Sequence, residues 1–234
     1  MSGDPRPARA DRLARLRGLY AIVGDDDPVS RAEAVLAGGA RVIQLRMKRA
    51  PAGEVLAVAR RIVALAHRSS PPSPIDRGSP APGPALVLVN DRPDIALLSG
   101  ADGVHLGDDD LPVPDARALL GEALLVGRTA RTLEAARAAL AAGADHVGYG
   151  PVFASVTKPL DVEPRGLEAL AATCAALPAP VVAISGITRE NIAAVARAGA
   201  AAAAVIGDLF DDGSPRERAR DLAAAFEGGS RGRA

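Results

Sequence analysis

A single cysteine, Cys174, leaves this chain unable to form an intrachain disulfide and points to a reducing, cytoplasmic setting. The charged start MSGDPRPARADR lacks the apolar stretch of a secretory signal, so export is not expected. Net charge is missing as well. The 28 basic side chains are balanced by 28 acidic ones, which argues against capture of nucleic acid or an anionic membrane and leaves a small neutral or acidic ligand open. A membrane span is excluded too, because the longest uncharged run, residues 169–188, is broken by Pro178 and Pro180 and reads as helix end, turn and buried strand. Aromatic residues make up only 2% of the chain, yet 48% is hydrophobic, too much for a disordered polymer. At 234 residues, one α/β barrel domain is a natural size.

The scarce residue types carry information of their own. Two of the 28 basic residues are lysines, Lys48 and Lys158, and the remaining 26 are arginines; Gln44 is the single glutamine, and Asn90 and Asn191 are the only asparagines. In a chain with an alanine- and arginine-rich bias, positions that keep a rare type are candidates for function.

Eight short apolar runs recur: 19–24, 42–47, 86–91, 103–107, 125–129, 146–150, 181–186 and 202–207. Between most of them the apolar residues follow helical period, as in Val55, Val58, Ile62 and Leu65, or Leu133, Ala136 and Leu140. Ser30 with Glu33 reads as a capping box, and Thr132 and Thr188 as helix N-caps. Gly39-Ala40, Gly100-Ala101, Gly143-Ala144 and Gly199-Ala200 each close a helix and lead into the next strand, a weak internal repeat. Eight alternating units in a chain of this length predict a single-domain α/β fold, a (β/α)8 TIM barrel, over 19–226 after an N-terminal segment, 1–18. No GxGxxG follows the first strand, which weighs against an open Rossmann-like sheet. The Pro/Ser/Gly-rich stretch 69–84 reads as a mobile insertion on the side opposite the active site, and 227–234 as a flexible tail.

In such a barrel the chemistry gathers where strands lead into helices. At the end of the second run, Gln44, Arg46 and Lys48 alternate and share one face, an amide and two cations suited to an anion such as diphosphate. The third run ends in Asn90-Asp91, and the fourth leads into Asp108, Asp109 and Asp110. Carboxylates from adjacent strand ends suit Mg²⁺, with Asp91 and one member of the Asp run as ligands. After the sixth run, Ser155, Thr157 and Lys158 sit on a loop long enough to cover a ligand. Ser185-Gly186 and Gly207, after the seventh and eighth runs, offer backbone N–H groups to a phosphate. Cys174, His67, His105 and His146 read as structural, His105 as a core residue within its strand.

The stretches QLRMK, VNDRPDIAL, ADGVHLGDDDLP, GADHVGYGPVFASVTKP and VVAISGIT, in this order, resemble the thiamine phosphate synthase family over roughly residues 19–210. The resemblance implies a Mg²⁺-dependent (β/α)8 enzyme with small-molecule substrates, a pyrimidine diphosphate and a thiazole phosphate, and leaves self-association open. By the same resemblance, Gln44 and Thr129 lie at the pyrimidine, and Arg46, Lys48, Asn90 and Lys158 at the diphosphate. Asp91 and Asp110 hold the metal, and Thr157, Gly186, Ile206 and Gly207, with Ser155 on the same loop, hold the thiazole phosphate. Arg46, Lys48, Thr129 and Lys158 form the catalytic set. Ser185 stands where the family has glycine, Ile206-Gly207-Asp208 departs from a small-hydroxyl pattern, and Ala154-Ser155 replaces a Pro-Thr. Thiazole tautomerases share this barrel, and Gly127-Arg128-Thr129 echoes their Gly-Arg-Ser, but Arg131 occupies the position of their catalytic histidine. An isomerase and a noncatalytic thiazole-phosphate binder are therefore the alternatives.

Overall fold

The computed structural model describes residues 8–68, 83–154, 163–211 and 213–232. Eight parallel strands, β1 (Gly18–Val23), β2 (Val42–Leu45), β3 (Leu86–Asn90), β4 (Gly103–Leu106), β5 (Leu125–Ala130), β6 (His146–Tyr149), β7 (Val181–Ala183) and β8 (Ala202–Val205), close into a barrel in sequence order. Around it run α1 (Arg9–Arg15), α2 (Pro28–Ala37), α3 (Ala52–Arg68), α4 (Pro93–Ser99), α5 (Val113–Leu120), α6 (Leu133–Ala141), α7 (Gly166–Ala176), α8 (Ile192–Arg197), α9 (Gly207–Phe210) and α10 (Pro215–Arg231). The fold is the expected (β/α)8 barrel. Among the described residues no helix is long and apolar enough to cross a membrane.

Both faces of each strand are covered, which is why the strands read as continuous apolar runs rather than alternating ones. Outward residues such as Ile43, Val87, Val104, Val126 and Val147 join the layer between sheet and helices, where Cys174 also packs. Inward residues Tyr20, Val42, Leu86, Leu88, Leu125 and Val182 fill the barrel. The wall formed by β4–β6 is built differently. His105 and His146 lie in hollows left by glycines: a Cβ on Gly127 would come within 2.2 Å of His146 and 2.7 Å of His105, and one on Gly148 within 2.8 Å of His105.

The helix-closing glycines behave as the repeat implies, with Gly39, Gly100, Gly143 and Gly199 at φ of 104°, 76°, 103° and 105°, a region that disfavours any Cβ. Two units continue as Gly-Ala-Asp. Asp102 Oδ2 accepts the Val87 N–H at 2.9 Å, and Asp145 Oδ2 accepts the Val126 N–H at 2.8 Å, so each carboxylate caps the start of the preceding strand. Helix α1 covers this end of the barrel. Its buried Arg12 donates to Asp102 Oδ1 at 3.0 Å and to the Ala123 carbonyl at 2.7 Å, while Arg9 reaches Asp145 at 3.3 Å and Arg117 of α5 meets it at 2.6 Å.

Three local expectations are corrected. Helix α2 starts at Pro28 with Asp27 as N-cap, so Ser30 lies in its first turn; the ring of Pro28 presets the helical φ and needs no N–H partner there. Thr132 does cap α6, accepting the Ala135 N–H at 3.1 Å. Thr188 instead donates its N–H to Asn191 Oδ1 at 2.9 Å, which closes a turn and delays α8 to Ile192. The expected flexible tail from 227 is helix as far as Arg231: Phe226 is buried, and Gly229 lies so close to α8 that a Cβ would stand 2.3 Å from the Ala193 carbonyl. Its glycine permits close packing rather than ending the helix. The 69–84 insertion lies outside the described residues except for Gly83 and Pro84.

Candidate active site

The register of the barrel brings the predicted residues of β2–β5 to one mouth. Gln44, buried on the inner face of β2, donates from Nε2 to Asn90 Oδ1 at 2.8 Å. Arg46 follows β2, its backbone N–H still paired with the Val23 carbonyl at 2.8 Å, and is half-buried. Lys48 lies on the bend beyond, where its ammonium meets Asp91 Oδ2 at 2.9 Å. Lys48, Asn90 and Asp91 line a cleft of about 170 Å³ whose apolar side is Leu45, Met47 and Val55.

Asp91 holds a left-handed backbone, φ 64°, which turns the chain out of β3, and its N–H pairs with the His105 carbonyl at 2.9 Å. A non-glycine residue kept in this region costs about 1 kcal/mol or more and is concentrated at functional sites. Asp110 curls back so that Oδ2 accepts the Gly107 N–H at 2.6 Å. Partial burial and the facing Asp91 carboxylate raise the Asp110 pKa above the ordinary carboxylate value, against smaller opposing effects of the Gly107 N–H and of Lys48. Two carboxylates that resist sharing negative charge are suited to a cation between them. Among the described residues no cluster of three or more His, Cys, Asp or Glu side chains is gathered. The donor set, hard oxygens from two protein carboxylates, fits Mg²⁺, which retains waters and accepts phosphate oxygens from a substrate. Asp108 and Asp109 are exposed, and Asp108 pairs with Arg131 rather than facing Asp91.

Thr129, on the inner face of β5, lies 3.0 Å from His105 Nε2 through its hydroxyl. His105 in turn stands against His146, ring centroids 5.7 Å apart. Burial lowers the His105 pKa to about 4, and burial with the neighbouring His105 lowers that of His146 to about 3, so both imidazoles are neutral near pH 7.

Across the mouth, β7 and β8 pair in register, Ala183 with Ala203, and lead into the turn at Ser185-Gly186 and the segment Ile206-Gly207. Ser185 and Gly186 both have positive φ, 72° and 67°, and a Cβ on Gly186 would strike the Ala154 carbonyl at 2.4 Å, so this turn packs tightly under the segment after β6. Asn191 Nδ2 holds the Gly186 carbonyl at 2.9 Å. Gly207 opens α9, and Asp208 accepts the Arg189 N–H at 3.0 Å while lying between the Arg189 and Arg218 side chains, at 3.6 and 3.5 Å. Ser155, Thr157 and Lys158 lie outside the described residues.

Three contributors that the sequence names without a site role are Asn191, His105 and Asp208. Asn191 had a visible signal, its rarity. His105 and Asp208 had none, because the partner of the first depends on strand register and that of the second on a loop crossing from β7.

Comparisons with known proteins give the family of the chain. The profile of the family described as Thiamine monophosphate synthase matches residues 19–209. A "Thiamine-phosphate synthase" of Anaeromyxobacter dehalogenans (strain 2CP-C) is 63% identical over 94% of this chain and 92% of its own length. One from Myxococcus xanthus (strain DK1622) is 48% identical over 91% and 94%. The solved structure of "Thiamine phosphate pyrophosphorylase from Pyrococcus furiosus" superposes with a TM-score of 0.80 at 31% identity, covering 93% of this chain and 98% of that one. A Gln/Arg/Lys strand end, an Asn-Asp turn and a facing aspartate in a closed barrel thus occur in a chain that belongs to the thiamine monophosphate synthase family and is a transferase of thiamine biosynthesis.

Proposed function

We propose that this chain, acting in the cytoplasm, joins 4-amino-2-methyl-5-(diphosphomethyl)pyrimidine to 4-methyl-5-(2-phosphoethyl)thiazole, forming thiamine phosphate and releasing diphosphate. The observation that carries this reading is the pair Asp91 and Asp110 beside the Lys48 ammonium at a mouth that also holds Arg46. The C–O bond between the pyrimidine methylene and the diphosphate breaks first, and the thiazole nitrogen then supplies the electron pair of the new C–N bond. No protein nucleophile or strong base is required, so the residues have two tasks, stabilising charge on the leaving group and holding two rings in line.

Asp91 and Asp110 would hold Mg²⁺, which when bound neutralises charge on the diphosphate oxygens. Arg46, Lys48 and Asn90, with Lys158, bind the same group. The Lys48–Asp91 contact holds the ammonium at the mouth before substrate arrives. Gln44 and Thr129 orient the pyrimidine. Thr157, Gly186, Ile206 and Gly207, with Ser155, take the thiazole phosphate. There the two arginines around Asp208 offset the carboxylate that this chain carries in place of a small hydroxyl residue.

The test is an assay of purified protein with both substrates, with and without Mg²⁺. Thiamine phosphate is expected only when both substrates and the cation are present. Turnover of a thiazole carboxylate phosphate alone, indifferent to a chelator, would replace this reading with the isomerase. Arg131, tied to Asp108 where a tautomerase has its catalytic histidine, speaks against that outcome.

A further inference from the structure

The proposed chemistry leaves His105 without a task, although it bonds directly to Thr129. Among the described residues its Nε2 has that one partner, at 3.0 Å, while Nδ1 is buried with no hydrogen-bond partner. A neutral imidazole carries one proton. Placing it on Nδ1 would bury an unpaired N–H, whereas placing it on Nε2 leaves only a lone pair unsatisfied, and orphaned N–H groups are the rarer and costlier defect. The proton therefore belongs on Nε2, and the Thr129 oxygen accepts it. The hydroxyl hydrogen must then turn elsewhere, and Thr129 sits at the upper end of the inner face of β5, below the mouth. The glycine hollows at Gly127 and Gly148 hold the His105 ring in place, with His146 against it. Gln44 is oriented in the complementary sense: one N–H of its Nε2 goes to Asn90, which fixes the amide plane and turns Oε1 the other way as an acceptor. One donor on β5 and one acceptor on β2 match a ring that carries a hydrogen-bond-accepting nitrogen and an exocyclic amine.

We propose that His105 is a positioning residue that fixes the Thr129 hydroxyl as a donor toward the mouth and so makes the pyrimidine subsite selective for a ring nitrogen at that point. This rests on the reading of Thr129 as a pyrimidine contact.

Two measurements test it. Long-range ¹H–¹⁵N NMR of the ligand-free protein should show His105 as the Nε2–H tautomer, with that resonance shifted in Thr129→Val; an Nδ1–H tautomer overturns the proposal. Calorimetric binding of the aminopyrimidine diphosphate with Mg²⁺ should weaken about tenfold in His105→Phe, which keeps the ring volume, and in Thr129→Val, without further loss in the double variant. His105→Gln, which can present an N–H near the Nε2 position, should return to within about threefold, and the KM for the thiazole phosphate should stay within twofold throughout. Equal weakening toward both substrates, or failure of His105→Gln to rescue while melting normally, would reduce His105 to a packing residue. Wild-type protein that binds no aminopyrimidine would overturn the functional reading beneath; wild-type binding matched by His105→Phe would overturn this assignment alone.

Discussion

Asp102 and Asp145 at the N-terminal end of the barrel, and Asp91 and Asp110 at the C-terminal end, are pairs of strand-flanking carboxylates treated in opposite ways. The lower pair is almost fully buried, and the chain itself supplies what the charges need: the Val87 and Val126 N–H groups, Arg12, Arg117 and Arg9. Burial would raise the Asp102 pKa, but His67, the Val87 N–H and Arg12 outweigh it and hold this carboxyl below the ordinary range. The upper pair is half-buried, has among the described residues the ammonium of Lys48 beside it, and Asp110 is pushed the other way. Backbone geometry divides similarly. The turns that close α2, α4, α5, α6 and α8 use glycine at positive φ, whereas the non-glycine residues there among those described, Asp27, Asp91 and Ser185, all follow strands. At one end the carboxylates are met by groups of the chain itself; at the other, among the described residues, they face each other with one ammonium beside them.

The largest expected effect is at the N-terminal end. Asp102→Ala leaves the Arg12 guanidinium, 1% exposed, buried without its carboxylate, and should cost about 3–5 kcal/mol in urea unfolding. A loss under about 1 kcal/mol would show that α1 is not held through this pair. Because the folded pKa of Asp102 is depressed, its stabilisation is present above the usual carboxylate range and is lost as pH falls through the depressed value. The acid limb of the stability curve should therefore flatten in Asp102→Asn.

At the C-terminal end, Asp91→Asn should lower kcat by roughly a hundred- to a thousandfold, about 3–4 kcal/mol of barrier, while the melting temperature moves little. Retained activity at saturating Mg²⁺ would remove Asp91 from the metal site.

Asp110→Asn separates the two ends most directly, since it should stabilise the metal-free protein, by a few tenths to about 1 kcal/mol. The sign follows from the raised pKa. The folded state holds this proton more tightly than the unfolded chain, so stability falls as pH rises from the ordinary carboxylate value through the raised one, and the penalty is present in full at neutral pH. Asparagine keeps an acceptor for the Gly107 N–H and removes the charge. Mg²⁺ should raise the melting temperature of the parent and leave the variant unmoved; equal responses would refute the assignment.

The smallest effect is at Ser185, whose φ of 72° suits the glycine usual in the family. Ser185→Gly should stabilise by about 0.5 kcal/mol, relief of left-handed strain exceeding the added freedom of the unfolded chain. A loss would mean that the Ser185 hydroxyl supplies an interaction worth more than the strain.

Much of this division was legible in the sequence. Continuous apolar runs and the Gly-Ala repeat specify strands buried on both faces and helices closed by left-handed glycines, which is enough for the barrel. Gln44 was visible as an inward strand residue and Asp91 because it ends an apolar run, whereas Arg46 and Lys48, read as further residues of the same strand face, lie beyond the end of β2 at Leu45 and reach the mouth from the bend. What escaped depends on distant partners. Gly229 reads as a helix breaker until α8 is placed against it, and Ser30 reads as a cap until Pro28 is seen to begin the helix. His105 is an ordinary strand residue until register sets it beside Thr129 and opposite Gly127.

Helix α1 also bears on the order in which the molecule is made. Arg12 bonds partners 90 and 111 residues further along, and Arg9 meets Glu122, 113 residues away. A helix of seven residues has little stability alone, so during synthesis α1 waits, largely unformed, until β4 and β5 have left the ribosome. Contacts of such long range form slowly because the intervening chain must first be brought into a loop. The lower end of the barrel is thus sealed by a segment made early and bonded late, and a nascent chain halted before Asp102 holds the arginines of that seal with neither of the aspartates they serve.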